Sequence, residues 1–547
     1  MQDVPLTLQM VRERVGALYA GKTVATRQAD DADRQSYGEV VARVERLASA
    51  LAAAGVRPGD RVATFAWNSQ RHLELYLAVP CMGAVLHTLN IRLHPDQIRW
   101  IANHAEDTIV FVDASVAPAW EKIGEVGSVR QVVVMDDVSP SGRTWGPVIA
   151  GAVDYEDFLG AGEAAYAWPR LDERQAAAMC YTSGTTGDPK GVVYSHRSAT
   201  LHTLGTLFTD TLGLSERDVV LPVVPMFHAN AWGVAYGAAM TGASLALPAR
   251  FMDPASVAAL VAEERVTMSA GVPTVWFGVL QAIRDGQVDP ESLESLERLV
   301  VGGSAVPEAL MRGFDELGVR IVQAWGMTET SPLGSLANVK TTVAPEDELR
   351  TRLSQGLVAP TLSVRIVSET EQVAPWDGET MGELQISGPW IADAYYDPAA
   401  EDGRGGAERF ADDDGRRWLR TGDVAVIDGQ GYISLVDRTK DLVKSGGEWI
   451  STLELENLLV AHPSVVEAAV IAVPHPKWAE RPLACVVLTG EEAATEAELL
   501  AYLGEHVARW QVPDAVVFVA EVPKTSVGKF DKKVLRNQYR EYALPDA

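Results

Sequence analysis

The chain has 547 residues, 47% of them hydrophobic and 22% charged, which is more than one hydrophobic core serves and excludes the disordered and fibrous classes. Asp and Glu number 74 against 47 Lys and Arg, a net charge of −27, so the surface repels polyanions: nucleic acid is excluded as a general partner, and a phosphate-bearing ligand needs a local pocket. Cys81, Cys180 and Cys485 are too few and too far apart for a disulfide framework or a thiolate metal site, and read as reduced thiols of a cytoplasmic protein.

The N-terminal MQDVPLTLQMVRERV has Asp3 and Arg12 interrupting its apolar residues, so it reads as neither a signal peptide nor a membrane anchor. Short apolar runs then alternate with helix-like stretches: RVATFAW (61–67), an amphipathic RHLELYLAVPCMGAV, DTIVFVDA (107–114) and RQVVVMDD (130–137). Strands spaced by helices imply βαβ units and parallel sheets. The rhythm returns in DVVLPVVP (218–225), ASLALPA (243–249), RVTMSAGVP (265–273), LERLVVGGS (296–304) and VRIVQAWG (319–326), which predicts a second, related α/β subdomain. Residues 219–249 carry no charge and are long enough to span a bilayer. Pro222, Pro225, Pro248, Gly233, Gly237 and Gly242 break the stretch, so it reads as buried strand, loop and helix, without a transmembrane segment.

After residue 350 short strands alternate with Gly- and Asp-rich turns, and DGQGY (428–432) marks a hairpin, so an antiparallel, barrel-like region is expected. The character changes again at DRTKD (437–441). Beyond it STLELENLLVAH, VVEAAVIAVP, PLACVVLTG and EAELLAYLGEHVARW read as helix, two strands and helix, enough for a small α+β domain. The fold class is therefore α/β: an N-terminal domain over 1–437, built of two doubly wound subdomains and the barrel-like region, and a small mobile C-terminal domain over 438–547.

The most informative stretch is YTSGTTGDPKG (181–191). Its small residues suit a loop whose N–H groups approach phosphate oxygens closely, with Lys190 adding a point charge. It is not a nucleotide P-loop: Pro189 supplies no N–H, and Gly191 stands where Ser or Thr would follow the lysine. On residue chemistry alone a flexible surface loop between two strands remains the alternative.

Further stretches stand with it in order: GGSA (302–305), QAWGMTETSP (323–332), RTGD (420–423), DRTKD (437–441) and PKTSVGKFDKK (523–533). Together they resemble the signature motifs of the adenylate-forming superfamily, which includes acyl-CoA synthetases, adenylation domains of peptide synthetases and firefly-type luciferases. The resemblance implies an ATP site in which Ser183, Gly184, Thr185, Thr186, Gly187 and Lys190 fold over the phosphates. Gly302, Gly303 and Ser304 would line the adenine side, and Gln323, Ala324, Trp325, Gly326 and Thr328 the nucleotide strand. Trp325 stands where many relatives have tyrosine; it can stack on adenine but offers no phenol oxygen. Asp423, with Arg438, would take the ribose hydroxyls. Thr182 and Glu329 would ligate Mg2+, which wants oxygen ligands and keeps several waters. Lys529 is the implied catalytic lysine, aimed at the charge that builds when a carboxylate attacks the α-phosphate.

VVPMFHANAWGVAYGA (223–238), KSGGEWIS (444–451) and VPHPKWAERP (473–482) are similar to the bacterial medium- and long-chain fatty acyl-CoA synthetases. In that group a tryptophan at the place of Trp232 gates the acyl tunnel, His228 would orient the carboxylate, and Ala229 leaves room for an aliphatic chain. Lys440, Lys444 and Trp449 would hold the adenylate when the small domain closes, and Gly446 and Gly447 would line the path of CoA after it rotates. The implied function is a magnesium-dependent, cytoplasmic, homodimeric fatty acid–CoA ligase using ATP and CoA. The alternatives are a CoA ligase for a smaller acid, a methylthio-alkanoate or an aryl acid, and a non-catalytic acyl- or nucleotide-binding relative.

Overall fold

The computed structural model describes residues 2–29, 31–135, 138–139, 142–143, 149–182, 188–438, 440–445, 448–490, 493–525, 530–540, 542 and 544. Two nine-stranded sheets dominate it. In the first, strands Val85–Thr88, Arg61–Phe65, Asp107–Asp113 and Gln131–Met135 run parallel, joined by right-length helices such as Gln70–Cys81 and Pro95–His104. Ala176–Tyr181 adds parallel to Val85–Thr88, and Gly191–Ser195 then turns antiparallel at that side. The second sheet has Ser244–Leu247, Val219–Pro222, Met268–Gly271, Arg298–Gly302 and Arg320–Gly326 in parallel. These strands are the apolar β-branched runs read from the sequence, buried on both faces as parallel strands are.

The two sheets are interlaced along the chain. Thr23–Arg27 and Ala32–Ser36, from the N-terminus, complete the second sheet, with Val24 paired to Leu245. Tyr395–Tyr396 and Arg404–Gly405, from far downstream, extend the first. No local pattern announces either insertion, because the partners lie hundreds of residues apart.

The helix expected to be amphipathic, Gln70–Cys81, is instead buried nearly all round. Ser69 caps it, and its polar residues find partners on other elements. His72 bonds Thr64 at 2.9 Å, and Glu74 takes a guanidinium N–H from Arg43 and the hydroxyl of Tyr155. Burial with such partners is what a hidden carboxylate requires.

Residues 219–249 form strand Val219–Pro222, a turn Ala229–Gly233, helix Val234–Thr241 and strand Ser244–Leu247. Among the described residues no helix is long and apolar enough to cross a membrane. Downstream lies a five-stranded antiparallel sheet of Ser363–Val367, Gly382–Ser387, Phe410–Asp413, Arg416–Ile427 and Ile433–Arg438, with the last two strands flanking the expected hairpin. After Arg438 a separate sheet begins: Val443–Ser445 and Glu448–Ile450 form a small hairpin beside Val465–His475, Ala479–Leu488 and Ala515–Phe518. Its two faces have their own apolar clusters, around Leu455 and Leu499 on one side and Leu483 and Leu535 on the other.

Candidate active site

Ligands of open α/β sheets collect at the carboxyl ends of the strands, and the motifs gather there. Gly302 ends one parallel strand beside Ala324 of the next. A Cβ at Gly302 would lie 2.6 Å from the Ala324 carbonyl oxygen, so only glycine fits, and Gly303 follows at φ +88°. Ser304 is exposed at the mouth of that loop. Gln323, fully buried, ties the loops together: its Oε1 accepts from Val306 N at 2.7 Å, and its amide donates to the carbonyls of Leu353 and Ser354. Its amide is thus engaged in scaffolding, a task the motif alone did not reveal.

Trp325 is nearly buried and donates its indole N–H to Asp423 Oδ2 at 2.9 Å. Asp423 pairs with Arg438 in the antiparallel ladder, and the guanidinium Nε lies 3.2 Å from the other carboxylate oxygen. The tryptophan that cannot offer a phenol oxygen therefore supplies a donor that holds the proposed ribose carboxylate. Each carboxylate oxygen keeps a second lone pair for a ligand hydroxyl.

Just past Gly326, residues Thr328–Thr330 make a single 3-10 turn. The Thr328 carbonyl accepts the Tyr194 hydroxyl at 2.7 Å. Glu329, 5% exposed, receives the Tyr395 hydroxyl on Oε1, while its own carbonyl accepts from Ala392 N at 2.8 Å. Burial, then the Glu329 charge, pushes the Tyr395 phenol well above its ordinary range, so it stays a donor. The Lys190 ammonium stands 4.9 Å over the ring of the same Tyr395 and 3.4 Å from Glu408. Tyr395 thus brings Lys190 and Glu329, far apart in sequence, to one place. Sequence reasoning missed it; the only signal was an aromatic pair, Tyr395-Tyr396, ahead of Asp397-Pro398.

At the root of the loop, Thr182 N donates to Lys190 O at 2.9 Å and Lys190 N to Thr182 Oγ1 at 3.3 Å. Ser183, Gly184, Thr185, Thr186 and Gly187 lie outside the described residues, as do Gly446, Gly447 and Lys529. Thr182 and Glu329 are hard oxygen donors of the kind Mg2+ takes, and among the described residues no group of three or more His, Cys, Asp or Glu forms a dedicated cage. That donor set suits an ion held mainly by phosphates and water.

The segment 228–233 is bent unusually. Ala229, Ala231, Trp232 and Gly233 have φ of +37°, +55°, +55° and +75°, a left-handed turn that costs roughly 1–2 kcal/mol at each residue bearing a Cβ. Burial holds it: Ala229 is 2% exposed and Ala231 0%. The ring of Trp232 reaches Gly302, with Cη2 3.3 Å from where a Cβ there would stand. At Gly233 a Cβ would fall 2.6 Å from the buried His202 ring, whose Nε2 accepts Leu333 N at 3.2 Å. The turn carrying Ala229 and Trp232 therefore packs against Gly302 directly and reaches Leu333 through the His202 ring. His228 is half-buried at its start.

Lys444 and Trp449 are placed elsewhere. They pair across the small hairpin, the ammonium 4.0 Å over the indole and 3.4 Å from Glu369. Trp449 lines a cleft with Leu442, Val367, Met381, Arg420 and Val424. Arg420 and Val424 lie on the face of strand Arg416–Ile427 opposite to buried Asp423, so in this arrangement the hairpin sits across the sheet from Asp423. Lys440 has Asp441, Arg438, Arg536 and Asp531 as its charged neighbours, and desolvation lowers its ammonium below the ordinary lysine range.

Residues 13–396 match the family model described as AMP-binding enzyme, and residues 454–529 the model described as AMP-binding enzyme C-terminal domain. The chain is 47% identical over 554 residues to a long-chain-fatty-acid–CoA ligase of Thermus thermophilus, covering 99% of this chain and 97% of that one. It is 44% identical over 533 residues to a medium-chain-fatty-acid–CoA ligase of Ectopseudomonas oleovorans (96% and 94% covered), and 44% over 518 residues to a 3-methylmercaptopropionyl-CoA ligase of Ruegeria pomeroyi (93% and 92%). The fold superposes on ATP-bound MatB from Rhodopseudomonas palustris with a TM-score of 0.82 at 28% identity, covering 98% of this chain and 99% of that one.

Proposed function

The chain belongs to the AMP-binding enzyme family and is an AMP-forming acyl-CoA synthetase, and from that premise we propose a fatty acid as its substrate and a definite division of labour among its residues. In the first step the fatty carboxylate attacks the α-phosphate of ATP, giving acyl-AMP and pyrophosphate. In the second the CoA thiol attacks the acyl carbonyl, giving acyl-CoA and AMP. The observation that carries the reading is a pair of side-chain clusters, Trp325 with Asp423 and Arg438, and Glu329 with Tyr395 and Lys190, joined by the short segment 325–329.

Asp423 and Arg438 take the ribose; Trp325, with Gly302 to Ser304 and Gln323 to Thr328, frames the adenine. Ser183 to Gly187 and Lys190 meet the phosphates, an anchorage that the acidic surface does not otherwise provide. Thr182 and Glu329 hold Mg2+, which neutralises phosphate charge when bound. His228 orients the carboxylate, and Ala229 and Trp232 border the acyl chain. Lys529 meets the developing charge in adenylation. The boundary at 437/438 lets the small domain close, so that Lys440, Lys444 and Trp449 reach the adenylate, and then rotate, so that Gly446 and Gly447 line the CoA path. A thiol needs no enzymic nucleophile, so the two steps ask only for positioning and charge.

The two fatty-acid ligases among the relatives support an aliphatic substrate, and the buried thiols of Cys81, Cys180 and Cys485, none of them in a disulfide, support a reducing, cytoplasmic setting. A homodimer completes the reading, on the resemblance of 223–238, 444–451 and 473–482 to the bacterial group. The test measures AMP release over aliphatic acids of increasing length, with and without CoA. CoA-dependent AMP with medium or long chains is expected. A rate maximum at a three-carbon thioether or an aryl acid would replace the fatty acid, and no CoA-dependent AMP with any acid would overturn the function.

A further inference from the structure

The root of the phosphate loop is held by a set of side chains that the reading above does not use. Tyr181, immediately before Thr182, ends strand Ala176–Tyr181 and pairs with Gly191, so these two residues bracket the loop. The Tyr181 ring lies flat across that bracket: a Cβ at Gly191 would meet its Cζ at 3.0 Å and its hydroxyl at 3.2 Å. The hydroxyl is 2.7 Å from Nδ1 of His104, the last residue of helix Pro95–His104.

His104 is itself boxed. Trp100, one turn earlier, stacks on it at 4.5 Å and 18°, while Tyr181 and Tyr396 meet it edge-on at 5.8 Å and 5.6 Å. Behind Tyr181, at 5.2 Å, stands the His87 ring, fixed by Nδ1 contacts of 2.8 Å and 3.0 Å to the two oxygens of Asp107. His87 and Asp107 are wholly buried. Desolvation keeps the His104 imidazole below its ordinary pKa although Asp397, Asp188 and Glu106 pull the other way. The neutral ring therefore accepts at Nδ1, and the phenol donates.

We propose that His104 and Tyr181 are positioning residues for the triphosphate of ATP: their hydrogen bond fixes the root of the loop, and so the placement of Thr182 and Lys190. The inference rests on the ATP site proposed above. Holding Thr182 and Lys190 in place before the ligand arrives removes part of the ordering cost of binding. A shift of an ångström at phosphate-facing groups costs heavily, so the bond beside Thr182 has leverage on ATP affinity.

The experiment is titration of ATP with Mg2+ into the full chain, without acid or CoA, beside a thermal melt of each variant. Tyr181→Phe and His104→Leu are each expected to raise the ATP Kd about three- to ten-fold, the size of one hydrogen bond. The double variant should be no weaker than either single one, because both remove one bond. His104→Asn, whose Oδ1 stands near the place of Nδ1, should restore the wild-type Kd, and the fatty-acid KM at saturating ATP should not move. Wild-type ATP affinity in Tyr181→Phe and His104→Leu overturns the proposal, as does a lowered melting temperature with unchanged Kd, or additive losses in the double variant. An unmodified chain that binds no ATP would instead refute the nucleotide site itself, a different result from wild-type-like variants.

Discussion

Trp325 shows how a change inside a familiar motif is absorbed by its surroundings. The indole keeps an aromatic face and turns its N–H on Asp423, so the carboxylate is held by a donor on each side, Trp325 and Arg438. Trp325→Phe keeps the face and removes the donor; the ATP KM in the pyrophosphate-exchange reaction should rise about three- to ten-fold with the acid KM unchanged. Two glycines separate backbone conformation from space. Gly242 has φ +80° and a Cβ there would fall 2.2 Å from the Tyr19 ring, whereas Gly318, at φ +76°, has nothing within 4 Å. Gly318→Ala should cost about 1–2 kcal/mol in chemical denaturation, and Gly242→Ala more than that by roughly another 1–3 kcal/mol of overpacking. At this scale the family was legible in the sequence, because its signature motifs are contiguous stretches such as YTSGTTGDPKG and QAWGMTETSP. Tyr395 and His104 were not, because each meets its partner across a long stretch of chain and neither has a local pattern of its own; Tyr181 stands in YTSGTTGDPKG, but its bond to His104 does not show there. The resemblance places Lys444 and Trp449 with the adenylate once the small domain closes; in this structure Lys444 lies over the Trp449 ring and 3.4 Å from Glu369.

Among the elements, helices bury three histidines whose protonation the fold opposes. Desolvation lowers His72, on Gln70–Cys81, to about 4, His196, at the start of His196–Leu207, to about 4, and His202, on the same helix, to about 3. The unfolded chain binds protons at these sites from about pH 6.5 downward, and the folded one only near pH 3 to 4. Stability due to them is thus fully present above pH 6.5 and is lost as pH falls through the window from 6.5 to about 4. Each should cost on the order of 2 kcal/mol by pH 5. Urea denaturation at pH 7.5 and 5.0 checks the slope; a flat profile would place the three rings in solvent. The strands themselves were readable from apolar runs, and the helices Thr452–Ala461 and Glu496–Gly504 from STLELENLLVAH and EAELLAYLGEHVARW; the structure adds their caps, Ser451 and Thr495. The left-handed turn at 229–233 was not readable, since Ala and Trp carry no preference for positive φ; tertiary burial imposes it.

Across the whole molecule, the joint at Arg438 is tied to the small domain by charges with little access to water. The Asp437 carboxylate takes the N–H and hydroxyl of Thr452, and Lys532 donates to both Thr452 and Glu456. Burial pushes Glu456 up to about 7. Lys532→Met leaves that carboxyl without its cation and should destabilise the small domain by about 3–5 kcal/mol, read as an earlier, separate step in a thermal melt. The apolar runs made two layered halves and a small third unit legible. They could not show that the halves exchange strands, since a strand's own pattern says nothing about which sheet it joins.

That exchange bears on the order in which the protein comes into being. Val24 is synthesised well before its ladder partner, Leu245. At about 5 to 20 residues per second the N-terminal strand pair waits roughly 10 to 45 seconds with an unpaired edge. The first sheet closes later still, when residues 395–405 arrive. A nascent chain of this protein therefore spends most of its synthesis with open edges on both sheets, and its yield in the cell should depend on holdase chaperones more than its finished stability would suggest.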